Sequence, residues 1–337
     1  ILLKEFSRTT TKIVLRSIGM IQLNTFVFLT YVCSYSNVVK EDSITLHLKS
    51  FAPNWRNIYG RPAKEIATLI HSHDKIDILV ELTGHTAGNR LDVVAMKPAP
   101  IQITYLGYPN TTGLSTVDYR FTDALVDPLD TEQPFTEKLI RLPRCFLTYT
   151  PPTKVPDIET LPYTQNNFIT FGSFNNLAKI TPQVFALWST VLRSVPGSRL
   201  IMKCKPFASL AVKQRILQQF NYHGVDVSRI DLLPLVQSNF EHLKAYEMMD
   251  ISLDSWPYSG TTTTCESLLM GVPMISLCGD CHSHNIGASL LSQVNLNDWI
   301  ASSEEEYVRI AIAQASDIDN LQVCALLALY FACLTTF

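Results

Sequence analysis

The chain has 337 residues, of which 47% are hydrophobic and 17% charged, enough for about two domains of ~150 residues with sizeable cores. A formal net charge of −3 argues against a general nucleic-acid binder. Eight cysteines lie scattered, several in predicted strands and helices, which reads as reduced intracellular usage rather than a disulfide framework.

The chain starts at Ile1 rather than Met, as a fragment would, and no signal peptide is evident. Met20 to Cys33 is apolar but spans only ~14 residues, short of the ~18–20 a membrane helix needs. Residues 1–34 carry no recognisable chemistry and stay unassigned. Ala63–His73 then reads as a helix, and Lys75 to Val80 as a buried strand ending in Glu81-Leu-Thr-Gly-His85-Thr86. In open α/β sheets the carboxyl ends of strands face the ligand crevice, so His85 sits where a functional histidine would be placed; a solvated loop histidine would look the same. Ile101 to Leu106 is the next strand and runs into the turn-rich loop Gly107–Gly113. Asp118 to Thr122 and Leu139 to Leu142 read as strands, closing a first lobe at 35–150. Four prolines in the segment 151–166 mark a linker, because proline density prevents regular structure.

The alternation repeats over 167–319. Phe168–Phe171 is a strand, followed by Gly172-Ser-Phe-Asn-Asn176-Leu-Ala-Lys179. Thr181 is a good N-cap with Pro182 at the first helical position, for a helix to about Val195. Leu200 to Cys204 and Ile230–Leu233 read as strands, and Ala208–Phe220 and Phe240–Met249 as helices. Ser302 with Glu305 has the spacing of a capping box for a helix over Glu304–Ala315. The tail, 320–337, includes the apolar run Leu321 to Phe337; lacking flanking basic anchors, it reads as buried or misassigned before it reads as a membrane anchor. Strands alternating with helices in both halves predict an α/β protein of two parallel-sheet domains facing a cleft.

The most informative stretch is Met249 to Leu277. A strand, Ile251–Leu253, is broken by Pro257, Ser259 and Gly260. Thr261, Thr262, Thr263 and Thr264 follow, then a short helix over Cys265–Met270, a C-cap glycine at Gly271 with Pro273 beyond, and a strand over Met274–Leu277. A helix N-terminus offers unpaired N–H groups and the positive end of the helix dipole, which suits a phosphate, and threonine hydroxyls add donors. Glu266, within about the first turn, is placed to accept hydrogen bonds from ribose hydroxyls. An ordinary threonine-rich N-cap has the same pattern, and neither common nucleotide fingerprint occurs. Cys278-Gly-Asp-Cys281-His282-Ser-His284 matches the haem-attachment pattern C-x-x-C-H and holds two cysteines and two histidines. The histidines follow the cysteines at once and no second C-x-x-C exists, so no metal or cofactor is expected. The competing reading is a loop leading into a second helix near Asn285, whose N-terminus, with His282 or His284 beside it, shares the phosphates.

The segments KIDILVELTGHTAGNRLDVVAMKPAPIQITYLGYPNTTGLSTVDYRFTD, FGSFNNLAKITP, KCKPF and MDISLDSWPYSGTTTTCESLLMGVP closely resemble the catalytic region of the SPINDLY-type protein O-glycosyltransferases. They are similar, more distantly, to intracellular protein O-GlcNAc transferases. The resemblance covers about residues 35 to 315. It implies a GT-B fold with the donor held mostly by the second lobe. It also implies inverting transfer of a sugar, fucose from GDP-fucose or GlcNAc from UDP-GlcNAc, to Ser or Thr of proteins in the cytoplasm and nucleus, without a metal. Carried over, Lys179 matches the lysine that stabilises the departing diphosphate, Asn176 a donor contact, and His242 a nucleotide-side contact. Thr261, Thr262 and Thr263 match the phosphate-binding trio, Glu266 matches the ribose carboxylate, and His85 lies toward the acceptor side as a candidate base. The family's first strand and loop, G-Y-V-S-x-D-x-x-x-H-S, is not found before Tyr35. Its substrate-selecting tetratricopeptide repeats are not found either, and resemblance stops after about Asp319. Those departures imply a truncated chain with weak or no turnover as it stands.

Overall fold

The computed structural model describes residues 11–17, 29–158 and 161–334; most of the apolar stretch from Met20 lies outside them. The chain divides into two compact units, Ile1–Tyr149 and Thr150–Phe337.

The first unit is built on a seven-stranded sheet of order β3-β2-β1-β4-β5-β6-β7. Its strands are β1 (Thr11–Ser17), β2 (Leu29–Ser36), β3 (Asn54–Asn57), β4 (Ile78–Glu81), β5 (Ile101–Thr104), β6 (Tyr119–Asp123) and β7 (Lys138–Leu142). Pairing is parallel from β4 to β7 and between β2 and β3, whereas β1 is antiparallel to both neighbours. The expected all-parallel sheet is therefore interrupted by one reversed strand in the region where the sequence pattern was unreadable. Helices α1 (Ser43–Phe51), α2 (Ala63–Thr68) and α3 (Leu91–Val94) cover the sheet, α2 continuing as a wider turn over Leu69–His73. Leu79 and Val80, adjacent on β4, serve different cores. Leu79 packs with Tyr35, Ile66, Ile70 and Val94, and Val80 with Leu48, Leu82 and Tyr105, as the two-residue period of a doubly covered strand requires.

A buried carboxylate ties this unit together. Asp74, 3% exposed, receives the Tyr35 hydroxyl at 2.5 Å, Arg56 Nε at 2.7 Å and a second Arg56 nitrogen at 2.5 Å. Burial works against its charge, but the hydrogen bonds from Arg56, Tyr35 and His73 outweigh it and hold the carboxyl below its ordinary range.

The second unit is a fully parallel six-stranded sheet of order β10-β9-β8-β11-β12-β13. Its strands are β8 (Thr170–Ser173), β9 (Arg199–Lys203), β10 (Ile230–Leu233), β11 (Ile251–Leu253), β12 (Met274–Leu277) and β13 (Ile300–Ala301). Its helices are α4 (Tyr163–Asn166), α5 (Pro182–Ser194), α6 (Leu210–Tyr222), α7 (Asn239–Lys244), α8 (Thr262–Leu269), α9 (His282–Ser292), α10 (Glu304–Ser316) and α11 (Ile318–Leu334). Trp188, Trp299, Tyr246, Tyr307, Phe171, Phe207 and Phe220 are its largest fully buried apolar side chains. Thr181 caps α5 as expected, its hydroxyl accepting from Val184 N at 3.3 Å. The capping box of α10 lies one residue later than Ser302 and Glu305. Ser303 Oγ accepts from Glu306 N, and Glu306 reaches back to Ser302 N at 2.9 Å. Both registers satisfy the S-x-x-E spacing in this run of serines and glutamates, so spacing alone did not choose. Within the described residues the apolar tail is helical as part of α11, which packs on α8 with Leu321 and Ala328 fully buried. Among the described residues no helix is long and apolar enough to cross a membrane.

Candidate functional site

In the second unit the loops and helices that follow β8, β10 and β11 carry the predicted residues Asn176, Lys179, His242, Thr261, Thr262, Thr263 and Glu266, at the carboxyl end of the sheet where crossover connections leave the strands. Helix α8 begins at Thr262, three residues before its predicted start, so Thr262, Thr263 and Thr264 form its first turn rather than a preceding loop. Thr261 is the N-cap residue, yet its side chain makes no capping hydrogen bond. The first-turn N–H groups are thus not taken up by the N-cap side chain, the condition for an anion to use them. Gly260 just ahead has no room for a side chain: a Cβ there would stand 2.5 Å from Thr263 Oγ1 and 2.7 Å from Thr264 Oγ1.

Lys179 ends the short turn Leu177–Lys179 and reaches across to the same place. Its ammonium donates to the Ser259 carbonyl at 2.7 Å and lies 4.0 Å from the Tyr258 ring centroid. Behind it stands Asp254, 2% exposed. The Asp254 carboxylate accepts from Gly260 N at 2.7 Å, Ser255 N at 2.9 Å and Ser276 Oγ at 2.8 Å, which pins the whole β11–α8 loop. Burial pushes the Asp254 carboxyl up to about 6 against those hydrogen bonds and the attraction of Lys179. Burial likewise brings Lys179 down to about 8, with Asp254 partly restoring it. The result is a desolvated ammonium with one carboxylate partner, next to an uncapped helix start.

Asn176, expected as a donor contact, and its neighbour Asn175 differ in burial and partners. Asn176 is exposed and its side chain caps the turn that carries Lys179, accepting from Ala178 N at 3.1 Å. Asn175 is the buried one, at 6% exposure, and its Oδ1 accepts from Thr263 Oγ1 at 3.0 Å. Adjacent asparagines in a loop give no periodicity from which to choose between them.

Glu266 is the fifth residue of α8, in the second turn rather than the first, and is 5% exposed. His242, on α7, donates from Nε2 to Glu266 Oε2 at 2.9 Å, which fixes the imidazole tautomer. Phe174 and Tyr246 rings flank His242 at 6.2 and 5.9 Å. Lys203, noted in the sequence only as part of KCKPF, also joins this group.

Helix α9 begins at His282, not near Asn285, beside α8. Ser259 links the two helix starts, its N donating to Ser283 O at 2.9 Å and its Oγ to His284 O at 2.8 Å. His282 is buried, and burial lowers the pKa of His284. Among the described residues no group of three or more His, Cys, Asp or Glu is arranged to hold a metal ion.

His85 belongs to the first unit. It is exposed, its Nε2 donating to Thr112 O at 2.8 Å with the Tyr108 ring 5.2 Å away. That bond leaves Nδ1 as the nitrogen able to accept a proton. Two glycines let the loops after β4 and β5 interlock: Gly84 at φ +51° lies against Tyr108, and Gly107 against the Leu82 carbonyl. The Thr112 carbonyl is itself fixed by Glu137, which accepts from Thr112 N at 2.7 Å and from Thr111 Oγ1 at 2.7 Å.

A model of glycosyl transferase family 41 matches residues 57–151 and 159–327, so the match runs past Asp319 into α11. The probable UDP-N-acetylglucosamine–peptide N-acetylglucosaminyltransferase SPINDLY of Eustoma exaltatum subsp. russellianum is 53% identical over 294 residues, which is 86% of this chain and 32% of the relative. Its Arabidopsis thaliana counterpart is 52% identical over 291 residues, 85% of this chain and 32% of the relative. The chain thus spans about a third of the length of the curated relatives it matches. Among solved structures, a mutant of the Thermobaculum terrenum O-GlcNAc transferase superposes with a TM-score of 0.85 at 32% identity, covering 90% of this chain and 57% of the other. Anabaena HepE with UDP-glucose, at 12% identity and a TM-score of 0.53, covers 90% of this chain and 86% of the other; it shares the fold alone.

Proposed function

This chain belongs to glycosyl transferase family 41 and has the GT-B type of fold, and from that premise we propose that it is the donor-binding core of a protein O-glycosyltransferase. The observation that carries the reading is the convergence of a desolvated Lys179 and the uncapped start of α8 at one end of the sheet. Two phosphates are assigned there: one to the N–H groups of Thr262 and Thr263 and the Thr262 hydroxyl, with Thr261 alongside and Asn175 holding the Thr263 hydroxyl, and one to the ammonium. In the reaction the oxygen of a Ser or Thr hydroxyl attacks the anomeric carbon from the face opposite the diphosphate. The C–O bond to phosphate breaks, and its electron pair leaves with the nucleoside diphosphate. Lys179 stabilises that developing charge, an electrostatic role that is strongest in a water-poor site. The hydroxyl proton passes to a base, for which Nδ1 of His85 is one candidate and a phosphate oxygen or a water chain the others. The His242–Glu266 pair takes the nucleoside end. Intracellular proteins of the cytoplasm and nucleus are the acceptors, and no metal is required, because the ammonium and helix start supply the positive charge.

The donor is GDP-fucose or UDP-GlcNAc. The names of the curated relatives mention UDP-N-acetylglucosamine, whereas Thr261 and the FNNLAK loop favour GDP-fucose through the sequence resemblance. Calorimetric titration with GDP and UDP separates the two: tighter GDP binding supports the fucosyl donor, and tighter UDP binding supports GlcNAc. A folded protein that binds neither contradicts the assignment.

A further inference from the structure

Lys203 closes β9 and is 1% exposed. Among the described residues its ammonium makes one hydrogen bond, to the His242 carbonyl at 2.9 Å. The Phe174 ring centroid lies 4.0 Å away and that of Tyr246 5.9 Å. Burial lowers its pKa to about 8, and the Glu266 carboxylate opposes that drop. For stability alone this is a poor use of a buried position. A desolvated ammonium with one hydrogen bond is costly, and an apolar side chain of similar volume is often as stable or more so.

What the ammonium does hold is one residue. His242 is gripped at two points, its carbonyl by Lys203 on β9 and its Nε2–H by Glu266 on α8 at 2.9 Å. Lys203 also lies within electrostatic reach of Glu266, so the same side chain holds the backbone of one member of the pair and attracts the carboxylate of the other. Phe174, in contact with both Lys203 and His242, closes the group toward the β8 loop that leads to Lys179.

We propose that Lys203 is a positioning residue for the nucleoside end of the donor, holding the His242–Glu266 pair in the geometry that reads the ribose hydroxyls. The inference rests on the donor reading above. The test is calorimetric titration of the whole chain with the preferred nucleoside diphosphate and with its 2′,3′-dideoxy analogue. The wild type is expected to prefer the ribose form by about tenfold or more, the scale of one hydrogen bond to a charged group. In Lys203→Met that preference falls close to the value for Glu266→Gln, and the double variant shows no further loss, as residues acting through one contact should. A purely structural lysine would weaken both nucleotides by the same factor and leave their ratio unchanged, which would overturn the proposal. Lys203→Gln, which keeps a donor for the His242 carbonyl, serves if the methionine variant does not fold; failure of both to fold assigns Lys203 to stability alone and also overturns it. Wild-type protein that binds without preferring the ribose form removes the nucleoside reading of the pair, and the inference with it. A retained preference in Lys203→Met removes only the inference.

Discussion

In Asp254→Asn a buried negative charge is lost from behind the proposed phosphate site while the side-chain shape is kept. The carboxyl titrates at about 6 in the folded protein against 3.8 when unperturbed. At 1.36 kcal/mol per unit, keeping it ionised costs the fold about 3 kcal/mol. The sign follows from the raised value: stability attached to the protonated form is present below about 3.8 and lost as pH rises through about 6. Asparagine is neutral at every pH and escapes that loss. Its hydrogen bonds can all be made, with Oδ1 taking Ser255 N and Gly260 N and the new NH2 donating to Ser276 Oγ, a hydroxyl able to accept. Allowing for imperfect refitting, the variant should be more stable than wild type by roughly 1–3 kcal/mol at about pH 7.5, with the gain smaller by about 1 kcal/mol at about pH 5 and the charge cost gone only below about 3.8. Each kcal/mol should appear as roughly 2–4 °C in Tm. Lys179 meanwhile loses the charge that supports its ammonium, so its pKa falls further below about 8. The alkaline decline of nucleotide affinity then moves to lower pH. Urea titration at the two pH values and calorimetry across the range about 6.5–9 read both effects. A variant that is destabilised at about pH 7.5, or one whose alkaline decline does not move, would refute the reasoning that Asp254 is held charged for the sake of Lys179.

Other expectations separate structure from chemistry. Asn175→Ala should weaken nucleotide binding by about tenfold by releasing Thr263, while Asn176→Ala should cost about 1 kcal/mol of stability as a lost cap and move binding less; calorimetry and thermal melts on both variants decide this. Asp74→Asn should lower stability by about 3 kcal/mol in urea titration, since it leaves Arg56 without its ionised partner. In wild type the contribution of Asp74 is fully present above about 3.8 and is lost as pH falls below it, so the gap between wild type and variant should narrow in acid; a pH-independent gap refutes the charge account. Gly287→Ala should destabilise by roughly 1–3 kcal/mol, because its Cβ would clash with Ser276 Oγ and come 2.9 Å from Asp254 Oδ2; an unchanged melting temperature would show that the α9–β12 contact is looser than it looks.

The parallel second sheet was legible because five of its strands are short apolar runs bounded by glycine, proline and threonine, each within two residues of its expected place, whereas the two-residue β13 was too short to be read. The first unit was less so: β1 runs antiparallel, and a reversed strand has the same two-residue period as a parallel one. Helix starts moved by up to three residues at α8 and α9 because neither uses a side-chain cap, the signal on which such boundaries are read. The threonines and Lys179 were singled out by motif alone. The choice between Asn175 and Asn176, the two-point grip on His242, and Asp254 behind Lys179 depend on contacts 24 to 88 residues apart in the chain, which local pattern does not encode.

The most direct test of the central claim is titration of the folded chain with GDP and with UDP, repeated on Lys179→Ala and Glu266→Ala. The account predicts binding of at least one nucleotide, a loss of about tenfold or more in Lys179→Ala, and a loss in Glu266→Ala that is larger for the ribose than for the dideoxy form. Binding that survives both substitutions unchanged, or folded protein that binds neither nucleotide, would contradict it.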